Sequence, residues 1–136
     1  MRTQNQTQSN TGVVETYFSS LAKGDLNTLG SLFADDVIWH QPGQGKLSKT
    51  YSGKQELFGL FGQFMEISHG TFKIDSVDNI MANGSFVAAT LRFSAKKSSG
   101  QSIAMSGVDV MKVENGKIKE VHLFSADQAV EDAFWT

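Results

Sequence analysis

Asp109 is the residue whose setting most invites chemistry. Ile103, Met105, Gly107, Asp109, Met111 and Val113 share one face of a strand by its two-residue period, and no other member of that set is polar. A carboxylate on such a face points into the core. Desolvation there disfavours the charged form, raises the pKa and leaves a neutral acid that can donate a hydrogen bond. The plainer reading is an aspartate at a sheet margin, satisfied by a backbone or side-chain partner, because structural networks also bury carboxylates. Which partner it meets depends on the hairpin that follows. A two-residue Asn115-Gly116 turn sets Asp109 opposite His122. A three-residue Glu114-Asn115-Gly116 loop with Gly116 in a bulge sets it opposite Val121 and turns His122 to the other face. Both registers stay open at this point.

Other chemistry is thinly represented. His40, His69 and His122 show no ligand spacing such as H-x-x-x-H, so no metal is expected. The absence of cysteine excludes disulfides, cysteine-ligated zinc, iron–sulfur clusters and thiol catalysis. There is no G-x-S-x-G, G-x-G-x-x-G or P-loop, and no cofactor is expected. Gly59 and Gly62 fall inside a helical pattern, where they allow close packing rather than phosphate binding.

The elements that must position Asp109 divide into two grammars. Val13, Val14, Tyr17, Phe18 and Leu21 recur at helical spacing, with Gly24 placed to stop that helix and Asp25 to cap the next. Leu26, Leu29, Leu32 and Phe33 trace a second short helix. Asp35-Asp36 breaks the pattern, and residues 37–41 read as a strand ended by Pro42-Gly43. Residues 44–52 read as a loop. Ser52 and Gln55 have capping-box spacing for a third helix carrying Leu57, Leu60, Phe61, Phe64 and Met65. From Thr71 onward alternation takes over, with four strands separated by Asn83-Gly84, Ser98-Ser99-Gly100 and Asn115-Gly116, an antiparallel meander. Asp127 can cap a last helix through Phe134. Three helices with one early strand, followed by a meander, give an α+β domain with its helices gathered on one face of a curved sheet.

The chain has 136 residues, which fits one domain: a flexible polar tail over 1–11 and a single domain over 12–136. Lys+Arg 12 against Asp+Glu 14 leaves no basic stripe, so no nucleic-acid partner is expected. No run is long and apolar enough for a membrane span, and the N-terminal residues lack a signal-peptide core. A cytoplasmic protein is the expectation.

The segment from Val13-Val14-Glu15-Thr16-Tyr17 through Gly24-Asp25-Leu26 to Leu32-Phe33-Ala34-Asp35-Asp36 resembles the opening of ketosteroid isomerases. Trp39-His40-Gln41-Pro42-Gly43, the Gly53-led helix, Gly107-Val108-Asp109 and Asn115-Gly116-Lys117-Ile118 resemble SnoaL-like proteins. Both belong to the nuclear transport factor 2-like superfamily, and the resemblance covers about residues 12–127. It implies a cone-shaped, cystatin-like barrel, in which a strongly curved, mostly antiparallel sheet wraps three N-terminal helices around a deep apolar pocket. It also implies a homodimer through the outer sheet face.

The functional residues carry over unevenly. The oxyanion-hole tyrosine of the isomerases matches Tyr17, and their protonated aspartic acid, a carboxyl kept neutral to donate a hydrogen bond, matches Asp109. Their proton-shuttling aspartate falls at Gln41, whose amide has no useful basicity. The acid/base aspartate of the cyclases falls at Leu123, and their histidine on the preceding strand at Asp109. The Arg-x-Asp of epoxide hydrolases meets Gly107 in place of arginine. The same resemblance favours the bulged hairpin, with Val121, Leu123 and Ser125 towards the pocket and His122 outside.

The expected ligand is a small apolar molecule, carbonyl-bearing or cyclic. Tyr17 and Asp109 are the expected catalytic pair; Gln41, Trp39, Leu21, Leu57, Phe61, Met111 and Leu123 line the pocket. A non-catalytic carrier with the same pocket and a dimerisation module whose pocket is incidental are the alternatives.

Overall fold

The computed structural model describes residues 2–136, with side chains from residue 9 onward. In chain order the elements are α1 (Arg2–Lys23), α2 (Leu26–Leu32), β1 (Phe33–Gln41), β2 (Lys49–Ser52), α3 (Gly53–Ile67), β3 (Lys73–Asn83), β4 (Phe86–Lys96), β5 (Ser102–Glu114), β6 (Lys117–Ser125) and α4 (Gln128–Phe134). One sheet runs β2-β1-β6-β5-β4-β3, with β1 and β6 parallel and every other pair antiparallel. The sheet is curved and unclosed, and α1 packs on β3, β4 and β5 while α3 packs on β1 and β2. This is the expected α+β cone.

The local signals explain most boundaries. Gly24 takes φ 68° after α1, and the Asp25 carboxylate accepts from the Thr28 N–H at 3.2 Å and from its hydroxyl at 2.7 Å. The expected tail over 1–11 lies largely outside the residues with described side chains. Within the described part, Asn10 is buried in α1 and donates to the Gly84 carbonyl at 3.0 Å, so the helix extends N-terminal to the apolar periodicity that begins at Val13.

Three expectations need correction. Phe33 opens β1 instead of closing a helix, because it is fully buried and pairs with Ile118; Asp35 and Asp36 then sit in the register irregularity between Phe33 and Ile38. Part of the expected loop over 44–52 is strand β2, whose four residues are too few to display alternation; it is the sheet's edge, with Tyr51 buried opposite Trp39. The capping box does not form from Ser52 and Gln55. The Ser52 side chain makes no cap bond, and the Glu56 carboxylate accepts from the Ser52 N–H at 2.9 Å instead.

The β5–β6 hairpin takes neither of the two registers weighed from sequence. Asn115 (φ 52°) and Gly116 (φ 76°) form the two-residue turn, both in the left-handed conformation that such a turn demands. A register shift between Lys112 and Val113 then leaves Lys119 as an extra residue on β6, so Asp109 pairs with Leu123. Its face is thus shared with Leu123, Val121 and Ser125, while His122 pairs with Val110 on the outer face.

The innermost core is Phe33, Leu29, Leu57, Leu60, Met111, Val113, Ile118 and Val121, near the Asn115-Gly116 end of β5 and β6. At the other end α4 docks through Phe134 and Trp135, both buried. Asp127 caps α4 by accepting from the Val130 N–H at 3.2 Å, and Asp132 ties it to the loop after β1 by accepting from the Gln44 N–H at 2.8 Å. Asp127→Ala is expected to cost about 1 kcal/mol, the usual worth of such a cap, read as a lowered urea midpoint at unchanged slope.

Candidate functional site

A cavity of about 510 Å³ opens where β5 passes from Met111 to Asp109 and Gly107. That volume suits a small organic molecule. Tyr17, Leu21, Trp39, Gln41, Phe61, Asp109 and Leu123 all line it. Leu57 and Met111 do not. Both are fully buried in the innermost core below the cavity, Leu57 on α3 and Met111 opposite Val121, so their side chains are spent on packing.

Each polar group reaches the cavity for a local reason. Tyr17 lies one turn after Val14 on the buried face of α1, edge-on to Phe18 and Phe33. Burial pushes its phenol well above the ordinary value, and the neighbouring Asp109 charge pushes it further in the same direction. Trp39 and Gln41 alternate inward along β1, and the indole N–H donates to the Gln41 Oε1 at 3.0 Å. Because an indole nitrogen only donates, this bond fixes the amide orientation and leaves the Gln41 NH₂ as the end offered to the cavity. Asp109 stands between Ala89 of β4 and Leu123 of β6, half-buried, its carboxyl pushed up to about 7 by burial and then by the charge of Glu131. The site therefore offers donors from Tyr17, Gln41 and protonated Asp109 within mainly apolar walls.

Glu131 is the site residue that sequence reading missed. It is buried on α4 and lines the cavity. Its carboxylate accepts from the Ser125 hydroxyl at 2.6 Å, from the Gln128 amide at 3.2 Å and from the Trp135 indole at 3.1 Å. The available signal was its spacing: Glu131 precedes Phe134 and Trp135 by three and four residues, the same helix face as two large rings. An acid on the apolar face of a short capped helix marks a buried carboxylate.

A second polar group lies outside the cavity. On the outer face of the sheet, Glu120 Oε2 is 2.6 Å from His40 Nε2 and 3.2 Å from His122 Nε2. The third histidine, His69, is exposed after α3. No helix among the described residues is long and apolar enough to cross a membrane.

The sequence profile of the SnoaL-like domain matches residues 14–121. An uncharacterised protein of Mycobacterium tuberculosis is 27% identical over 123 residues, covering 90% of this chain and 93% of its own length. A solved protein of unknown function with a cystatin-like fold, from Xanthomonas campestris, is 45% identical with a TM-score of 0.89 over 93% of this chain and 97% of that one. TerC, solved in co-crystals with polyporic acid, shares 14% identity and a TM-score of 0.81 over 94% and 98% of the two chains, a likeness of fold.

Proposed function

The chain belongs to the SnoaL-like domain family of the nuclear transport factor 2-like superfamily, and we propose that it binds a small apolar, carbonyl-bearing or cyclic molecule in this cavity and transforms it by isomerase- or cyclase-type chemistry. The observation that carries the reading is the pairing of Tyr17 with a carboxyl pushed up to about 7, Asp109, on the wall of one 510 Å³ cavity. Two donors fixed on mainly apolar walls stabilise a developing oxyanion without reorganising when the charge appears. A carboxyl near 7 is also poised to release a proton and take it back at neutral pH, the property required of a general acid and base. Where Asp109 starts ionised it would instead take the proton that neither Gln41 nor Leu123 can accept, leaving Tyr17 and the Gln41 NH₂ as the donors to the oxyanion. Glu131 acts through Asp109, as a positioning and tuning residue.

One observation favours a second reading, a carrier without turnover. The carboxylates that serve as bases in related isomerases and cyclases fall here on Gln41 and Leu123. The proposed homodimer through the outer sheet face goes with either reading and is supported by the exposed Ile38 and Phe124 there.

The test is a thermal-shift screen of steroids, polyketide-like aromatics including polyporic acid, terpenes and fatty acids, with every hit followed by mass spectrometry for product. A specific ligand at a hundred times its Kd stabilises by about 2.7 kcal/mol. Asp109→Asn is expected to keep that ligand within a few-fold in affinity and to lower turnover at least about a hundredfold. Turnover unchanged in Asp109→Asn would sink the catalytic role, binding without product would establish the carrier, and no hit from any class would remove the ligand reading altogether.

A further inference from the structure

We propose that His40, Glu120 and His122 form a binding site for a borderline-soft divalent cation, Zn²⁺ or Co²⁺, on the outer face of the sheet. The site follows from the one parallel pairing in the fold. β1 and β6 run side by side with His40 directly beside His122, and their imidazoles stack at 4.3 Å between centroids and 15° between planes. Glu120, two residues before His122, projects from the same strand face. One carboxylate oxygen thereby meets the Nε2 atoms of both rings, at 2.6 and 3.2 Å, and the three ligand atoms lie within 4.8 Å of one another.

Tetrahedral Zn²⁺ with bonds of about 2.0–2.1 Å needs ligand atoms about 3.3 Å apart, so the two imidazole nitrogens have to close by up to about 1.5 Å and the carboxylate oxygen to back away from His40 by about 0.7 Å. All three side chains are on a regular sheet and between 33% and 45% exposed in the single chain, which leaves them room to adjust.

A fourth residue engages the other ring nitrogen. Thr50, paired with His40 across β2 and β1, has its hydroxyl 3.2 Å from His40 Nδ1. At 2.6 Å from a carboxylate oxygen, His40 Nε2 donates its proton to Glu120 and Nδ1 accepts from the Thr50 hydroxyl; a bound cation takes the place of the Nε2 proton, and the Thr50 hydroxyl turns to accept from Nδ1–H, the bond to the other nitrogen by which metal-ligating histidines are held. Two imidazoles and one carboxylate suit zinc, cobalt, nickel or copper; magnesium and calcium favour oxygen ligands. No local spacing search could find the site, because its two halves are 80 residues apart in sequence.

The test uses the untagged full chain, with Co²⁺ followed by its visible absorption and Zn²⁺ by calorimetry. The site lies on the face of the proposed dimer, so stoichiometry is read per chain. One ion per chain is expected, displaced by a chelator. His122→Ala and Glu120→Gln should each weaken binding at least about tenfold and Thr50→Val several-fold, while His69→Ala leaves it unchanged. Asp109→Asn should also leave it unchanged, which separates this site from the cavity. Absence of saturable one-to-one binding, or binding that survives His122→Ala and Glu120→Gln within twofold, overturns the proposal.

Discussion

Raising the pH from 4 to 8 is expected to destabilise the wild-type protein by on the order of 4 kcal/mol through Asp109 alone, and Asp109→Asn is expected to abolish that loss. The carboxyl sits at about 7 in the folded state against an ordinary 3.8. Between those values the folded state keeps a proton that the unfolded state has released. Stability therefore falls as pH rises, by about 1.4 kcal/mol per unit, and levels off once the folded group has also ionised near 7. This is opposite in sign to an ordinary paired carboxylate. Asp25, Asp36 and Glu120, all held below their usual range by hydrogen bonds, contribute stability above the normal carboxylate range and lose it in acid. Their titration is common to both proteins and cancels in the difference. Urea unfolding of wild type and Asp109→Asn at half-unit steps from pH 4 to 8 isolates the Asp109 component. Parallel curves would mean that the carboxyl titrates normally and that the cavity lacks a neutral-pH acid. A protein that carries such a penalty at neutral pH spends stability on a group that packing alone would have made apolar, as functional sites commonly do.

The placement of Asp109 was legible because period-two alternation is a rigid rule. Once residues 103–113 form a strand, an aspartate in the middle of an apolar set must share their face. The register was not legible. The turn chemistry of Asn115-Gly116 pointed to a two-residue loop, which does form, but the extra residue at Lys119 follows from twist and packing across β5 and β6, for which no residue type is diagnostic. The outward direction of His122 came from resemblance and its contact with His40 from the fold, because parallel pairing of β1 with β6 joins segments that no local pattern relates. The pocket walls divided in a similar way. Leu21 and Phe61 lie on helix faces that meet the cavity, whereas Leu57 and Met111 have the same apolar character and pack one layer deeper. Hydrophobicity gives the face of a residue but not its depth along the cone axis.

Glu131→Ala is expected to cost about 3 kcal/mol, whereas Glu131→Gln costs little and lowers the Asp109 midpoint. Alanine leaves the Trp135 indole N–H, on a ring only 3% exposed, without its acceptor, and the Ser125 hydroxyl loses its partner as well. Each abandoned buried donor costs about 1–3 kcal/mol. Glutamine keeps the shape: its carbonyl oxygen can accept from the indole while its NH₂ donates to the Ser125 oxygen, because a hydroxyl can turn to accept. What glutamine cannot supply is the charge. Glu131 is the second cause of the raised Asp109 carboxyl, after burial, so removing its charge should bring the Asp109 midpoint below about 7 without returning it to 3.8. Carboxyl ¹³C shifts, with Asp109 assigned by its absence in Asp109→Asn, read this midpoint directly. The same variant should lose less stability between pH 4 and 8 than wild type, since the shift and the stability loss are two measures of one proton. An unchanged midpoint in Glu131→Gln would mean that burial alone tunes Asp109 and would leave α4 a purely structural element. A lowered midpoint with any turnover optimum moving in parallel would place the control of the acid on the last helix, where Asp127 and Asp132 hold Glu131 in position.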